Sequence, residues 1–125
     1  MFDTTKAFSS FATPDLAAAR AFYEGTLGLE VGDVEGQPLL TLHLGDGPPT
    51  MIYEKPDHAP ATYTVLNFAT DDVDGAVDAL IDRGVTFERY EGFGQDERGV
   101  SHGMGPTIAW FTDPAGNILS VVEAM

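Results

Sequence analysis

Phe11-Ala12-Thr13-Pro14-Asp15-Leu16 and Phe68-Ala69-Thr70-Asp71-Asp72-Val73 share the same residue at four of six positions and lie 57 residues apart. In a chain of 125 residues that offset is just under half the length, so the repetition divides the protein into two modules with the same order of elements. The match continues as pattern: Ala19 answers to Ala76, and each segment runs through a helical period of apolar residues to a glycine, Gly28 or Gly84.

The spacing predicts a first helix over Pro14–Leu27, with Thr13 as N-cap, Pro14 at the first helical position, and Leu16, Ala19, Tyr23 and Leu27 on one face. A second helix follows Thr70 as its cap, with Asp71 and Asp72 against the N-terminal dipole and Val73, Ala76, Val77, Leu80 and Ile81 as the buried stripe. Strands are expected near 6–12, 30–34, 38–44 and 50–55, then 62–69, 85–91, 107–112 and 117–123. Each half therefore reads β-α-β-β-β. Gly45-Asp46-Gly47-Pro48-Pro49 and Asp113-Pro114-Ala115-Gly116-Asn117 punctuate equivalent places between the last two strands of each module. Residues 92–106, with five glycines among Gln95, Asp96, Glu97, Arg98 and His102, read as a long loop, either a lid or a plain connection.

Composition narrows the function. Twenty acidic residues against six basic ones give a net charge of -14, which repels nucleic acid and anionic membranes. No apolar run approaches the roughly 20 residues that span a bilayer, and the first residues lack the basic start and apolar stretch of a signal peptide, so a cytoplasmic location is expected. With no cysteine there are no disulfides, thiolate nucleophiles or thiolate metal sites. Three histidines and the carboxylates remain as strong ligands or acid–base groups.

The tandem modules, the stretch Ala21-Phe22-Tyr23-Glu24-Gly25-Thr26-Leu27-Gly28-Leu29, and Trp110-Phe111-Thr112-Asp113-Pro114-Ala115-Gly116-Asn117 together resemble the vicinal oxygen chelate superfamily of glyoxalases, bleomycin-resistance proteins and ring-cleaving dioxygenases. The resemblance covers essentially the whole chain. It implies an α+β fold in which tandem βαβββ modules, about 1–58 and 59–125, build a single domain: a curved mixed sheet forming a cup with helices on its outer face. It also implies a homodimer. Metal-dependent members hold a divalent cation with histidines and glutamates on the first and last strand of each module, leaving positions open for a substrate with two adjacent oxygens.

Carried onto this chain, those four positions fall at Phe8, Ile52, Val65 and Ser120, none of which is a strong ligand. A slip of one residue brings Tyr53 or Val121, and a slip of two reaches Glu54 without supplying a histidine. No metal and no other cofactor is expected. Alternation instead sets Ser10 beside Phe8 and Asn67 beside Val65, while Leu40, Leu42 and Leu44 on one face turn His43 to the other. Phe8, Ser10, His43, Ile52, Val65, Asn67, Trp110 and Ser120 thus form a mixed apolar and neutral polar lining suited to an organic ligand, or else a closed, packed core.

The sequence reading is a metal-free small-molecule-binding protein holding an apolar or aromatic compound, cations included, with sequestration or resistance as one role. The alternative is a metal-independent isomerase or lyase using His43, Glu97 or His102 for proton transfer. Metal-dependent glyoxalase or dioxygenase chemistry ranks third. His58, in the stretch joining the modules, is expected to be solvated.

Overall fold

Asp15 and Asp72 start the two helices. In the computed structural model, which describes residues 1–125, Asp15 Oδ1 accepts the Ala18 N–H at 3.1 Å and Asp72 Oδ1 accepts the Gly75 N–H at 2.9 Å. The expected caps, Thr13 and Thr70, lie two residues earlier. Their hydroxyls accept the N–H groups of Asp15 and Asp72, closing the turn that leads from strand to helix. Pro14 consequently precedes the cap instead of opening the helix. A carboxylate also suits the positive end of the helix dipole better than a hydroxyl does.

The chain divides into two compact units, Met1–Ala59 and Pro60–Met125. In the first, a short turn at Thr4–Lys6 precedes β1 (Ser10–Thr13), α1 (Leu16–Arg20), β2 (Glu30–Asp33), β3 (Leu39–His43) and β4 (Thr50–Glu54). The expected first helix is only partly α-helical. From Ala21 to Thr26 it widens into a π-helical turn, with the Leu27 N–H reaching back five residues to Phe22 O at 2.9 Å. The sheet runs β1-β4-β3-β2, with β1 and β4 parallel and the remaining pairs antiparallel.

Register sorts the side chains of this sheet. Phe11 pairs with Ile52 and Ile52 with Leu40; all three are buried, and the Phe11 ring lies 6.0 Å from that of fully buried Tyr23. This is the helix-covered face, and each such side chain contributes about 1.5–3 kcal/mol by leaving water. Ser10, Met51, Thr41 and His43 occupy the opposite face.

The second unit repeats the scheme with one strand fewer. It comprises β5 (Thr64–Thr70), α2 (Val73–Asp82), β6 (Ile108–Thr112) and β7 (Ile118–Glu123), in the sheet order β5-β7-β6. α2 ends on Gly84 at φ 90°, with the Val85 N–H bonded to Leu80 O at 3.0 Å. Val73 and Val77 are its buried residues and pack toward Ala109, Phe111, Leu119 and Val121; Ile81, expected in the stripe, is exposed because the helix turns it outward.

The strand expected at 85–91 does not form. It keeps a bridge from Phe87 to Phe111 and a 2.7 Å bond from the Glu88 N–H to Trp110 O. On its other side the Gln95 side chain does what a neighbouring strand would do: Oε1 accepts the Tyr90 N–H at 2.7 Å and Nε2 donates to Glu88 O at 2.8 Å.

The turn 113–117 is built around a buried carboxylate. Asp113 Oδ1 accepts the N–H groups of Ala115 and Asn117, and Oδ2 accepts Asn117 Nδ2, each at 2.9 Å. Gly116 holds φ at 85°, which favours glycine, and a Cβ there would sit 3.2 Å from Pro60 Cγ, a tight contact that adds to the preference.

Candidate functional site

On the helix-free face of the second sheet, Trp110 pairs with Ser120 and Thr112 with Ile118, while Asn67 pairs with Ser120 across the parallel ladder. The Ser120 hydroxyl donates to Asn67 Oδ1 at 2.5 Å. This joins three of the residues anticipated from sequence. Around Trp110 and Ile118 opens a cavity of about 360 Å³, walled also by Tyr90 and Phe93 and bordered along one side by Thr62, Tyr63 and Thr64. All of these belong to the second unit.

Two aromatic side chains flank the indole. Tyr90 stands at 76° to it with ring centroids 5.4 Å apart, and Phe93 at 66° with 4.9 Å. Tyr63 is 69% exposed, so the cavity meets solvent along that edge. Burial, with the nearby Glu88 charge, raises the Tyr90 pKa above its ordinary value. No carboxylate, imidazole, ammonium or guanidinium lines the wall.

Phe93 comes from the glycine-rich loop, which is more ordered than a plain connection. Ser101 is buried, exchanges backbone hydrogen bonds with Ile108, and donates its hydroxyl to Phe93 O at 2.5 Å. Arg98 ties the loop to α2, bonding Asp78 at 2.8 Å together with Asp74, and Asp96 lies at 3.4 Å. These contacts, Asp78 and then Asp74 foremost, hold the guanidinium even more firmly protonated than usual.

Asp74, Asp96 and His102 bring potential metal-ligating atoms within 4.8 Å of one another. Both carboxylates already accept from Arg98, whose positive charge opposes a cation there. Burial pushes the Asp96 carboxyl up, but the backbone N–H groups of Val100 and Arg98 and the Arg98 charge outweigh it, so its pKa is lowered overall. Its stabilising contribution is therefore present above the ordinary aspartate range and disappears as pH falls through the lowered folded value. The amide resonances of Val100 and Arg98 are expected to titrate together with a midpoint below the ordinary aspartate value. A midpoint at or above that value would contradict the geometry.

The other sequence candidates lie elsewhere. Phe8 is 55% exposed and precedes β1, while Ile52 is on the helix-covered face. The residue that occupies in β4 the place of Ser120 is Met51, paired with Ser10 as Ser120 is with Asn67. Val65 sits at an irregularity between the paired residues Thr64 and Leu66. His43 bonds Thr41 Oγ1 at 3.1 Å and lies 3.7 Å from Glu30, in space left by Gly32. Glu97 is exposed on the loop, and His102 lies 3.4 Å from Asp96. His58 departs from the solvated expectation: its Nε2 is buried without a hydrogen-bond partner.

The positions where the family's metal ligands would be sought carry poor donors. Phe8 and Val65 are apolar, and Ser120 with its first-unit equivalent Met51, which takes the place expected of Ile52, offers a hydroxyl and a thioether, so no imidazole or carboxylate stands there. The residues present do not fit a catalytic divalent ion.

Residues 7–121 match the family model of the Glyoxalase/Bleomycin resistance protein/Dioxygenase superfamily. No curated protein sequence matches the chain. Among solved structures, TnmS3, an antibiotic binding protein from Streptomyces sp. CB03234, is 24% identical with a TM-score of 0.75, covering 100% of this chain and 99% of that one. A Glyoxalase/bleomycin resistance protein/dioxygenase superfamily member from Sphaerobacter thermophilus DSM 20745 is 27% identical, TM-score 0.67, over 94% of each chain. A glyoxalase/bleomycin resistance protein from Streptomyces sp. CB03234 is 25% identical, TM-score 0.62, over 93% of this chain and 99% of its own. No helix is long and apolar enough to cross a membrane.

Proposed function

Because the chain belongs to the Glyoxalase/Bleomycin resistance protein/Dioxygenase superfamily, we propose that it is a metal-free small-molecule-binding member that seats an apolar or aromatic compound against Trp110, with sequestration as the corresponding role. The cavity carries this reading. Its volume falls within the roughly 300–1,000 Å³ of small-molecule sites, and its wall is mostly apolar, built from aromatic residues and Ile118 with the hydroxyl-bearing residues Thr62, Tyr63, Thr64 and Tyr90 among them. The rings supply desolvated contact area, and the few hydroxyls orient what enters.

Proton transfer needs a base within hydrogen-bond reach of the substrate. His43, Glu97 and His102 do not line the cavity, which favours binding over isomerase or lyase chemistry. The lack of strong donors at Phe8, Val65, Ser120 and Met51, which takes the place expected of Ile52, favours the metal-free state in the same way. At its degree of identity TnmS3 supports the reading only at the level of fold: an antibiotic-binding protein is built on this architecture. A homodimer belongs to the same proposal and is tested by light scattering.

Trp110 is the only tryptophan, so its emission reports occupancy directly. Titration with the neutral probe N-phenyl-1-naphthylamine is expected to quench that emission saturably, through energy transfer, at one probe per chain. Protein offered zinc, manganese, nickel and iron(II) under anaerobic conditions and then desalted is expected to retain none. Near-stoichiometric retention of one metal, or non-saturable quenching, would overturn the proposal.

A further inference from the structure

The arrangement of the rings says more about the ligand than the volume does. Tyr90 and Phe93 are both set steeply to the plane of Trp110, so one flat polycycle cannot stack on the indole and on either flanking ring at once. A compact tetrahedral group can touch several at once, and the negative π faces of such rings attract positive charge.

The charge beside the cavity points the same way. Phe87 packs its ring on Phe111 at 5.5 Å on the helix-covered face, which turns Glu88 to the face that carries Trp110. There Glu88 Oε1 accepts the Thr112 hydroxyl at 3.3 Å, and Thr112 pairs with Ile118 of the cavity wall. The arginines around the loop are engaged elsewhere: Arg89 donates to the carbonyls of Asp96 and Glu97, and Arg98 to the carboxylates of α2. Across residues 60–125 there are eleven carboxylate side chains and three arginines, so the field at the cavity mouth favours a cation.

We infer that this cavity takes the head of an organic cation, a quaternary or tertiary alkylammonium group bearing an apolar substituent, against Trp110, Tyr90 and Phe93 with Glu88 as the neighbouring counter-charge. The inference rests on the binding function proposed above and narrows its ligand class. Trp110 and its two flanking rings supply the cation–π contact, and Glu88 adds attraction that weakens with salt.

The test compares benzyltrimethylammonium with its neutral carbon isostere, neopentylbenzene, as competitors for N-phenyl-1-naphthylamine. The cation is expected to displace the probe at a concentration at least about tenfold lower than the isostere, a margin that shrinks as sodium chloride is raised. Glu88→Gln, which keeps an acceptor for Thr112, is expected to lower the cation's affinity more than that of the neutral probe. An isostere that competes as well as the cation, or a cation that fails to compete while the probe binds, overturns this inference and leaves the binding function standing. Failure of the probe itself to bind is the separate failure of that function.

Discussion

Asp113→Ala is expected to destabilise the protein by about 3 kcal/mol, lowering the denaturant midpoint with the slope unchanged. The carboxylate is 5% exposed and accepts three hydrogen bonds, two from backbone N–H groups and one from Asn117 Nδ2. Truncation removes charge-assisted bonds and leaves donors facing a cavity that the short turn cannot close. Asp113→Asn separates the contributions. Its remaining carbonyl oxygen can still serve Ala115 and Asn117, while its amide group opposes Asn117 Nδ2, so a loss of about half is expected. A change below about 1 kcal/mol for the alanine variant would show that water replaces the carboxylate and that the turn does not depend on it.

Trp110→Ala is expected to weaken N-phenyl-1-naphthylamine binding by at least about thirtyfold, or roughly 2 kcal/mol, because it removes the ring on which the cavity is organised. Tyr90 and Phe93 each make their ring contact with Trp110, so truncation also frees both flanking walls. The variant has no tryptophan, and binding is then read by calorimetry. Trp110 is only half-buried, so the fold is expected to persist, with the thermal midpoint as the check. Trp110→Phe is expected to recover most of the affinity. Unchanged affinity in the alanine variant would place the ligand elsewhere.

The helices and the turns were legible because their signals are local. Leu40 and Leu42 are buried and His43 is exposed, as two-residue alternation predicts, but Thr41 between the two leucines is buried as well and Leu44, expected with them, is exposed beyond the end of β3. The displaced caps show the resolution limit of that kind of reading. Thr13 and Asp15 are both good capping residues, and only the path of the chain leaving β1 decides which one faces the first free N–H groups. The Ile52 position fails for a related reason: alternation fixes which residues share a face, but unequal turns before β4 leave open which set faces the helix. One residue of register exchanges Ile52 for Met51.

The cavity was legible in one residue. Ile118 could have been found by alternation from Ser120, and Tyr90 from its place in the run 85–91. Phe93 carried no periodic signal, and residues 62–64 open the run expected as the strand 62–69, where the irregularity between Thr64 and Leu66 breaks the alternation that would sort their faces.

The repeat at Phe11 and Phe68, the glycines that end the helices, the acidic surface and the absence of histidine or carboxylate at the family's metal positions were all determined by sequence alone, since each depends on residue type and near neighbours. Tertiary structure decided that Gln95 replaces a strand, that Arg98 fastens the loop to α2, and that Tyr63, Tyr90, Phe93 and Trp110 meet in one cavity. These residues are joined by ladder register and loop closure, which act across dozens of residues and leave no period in the chain.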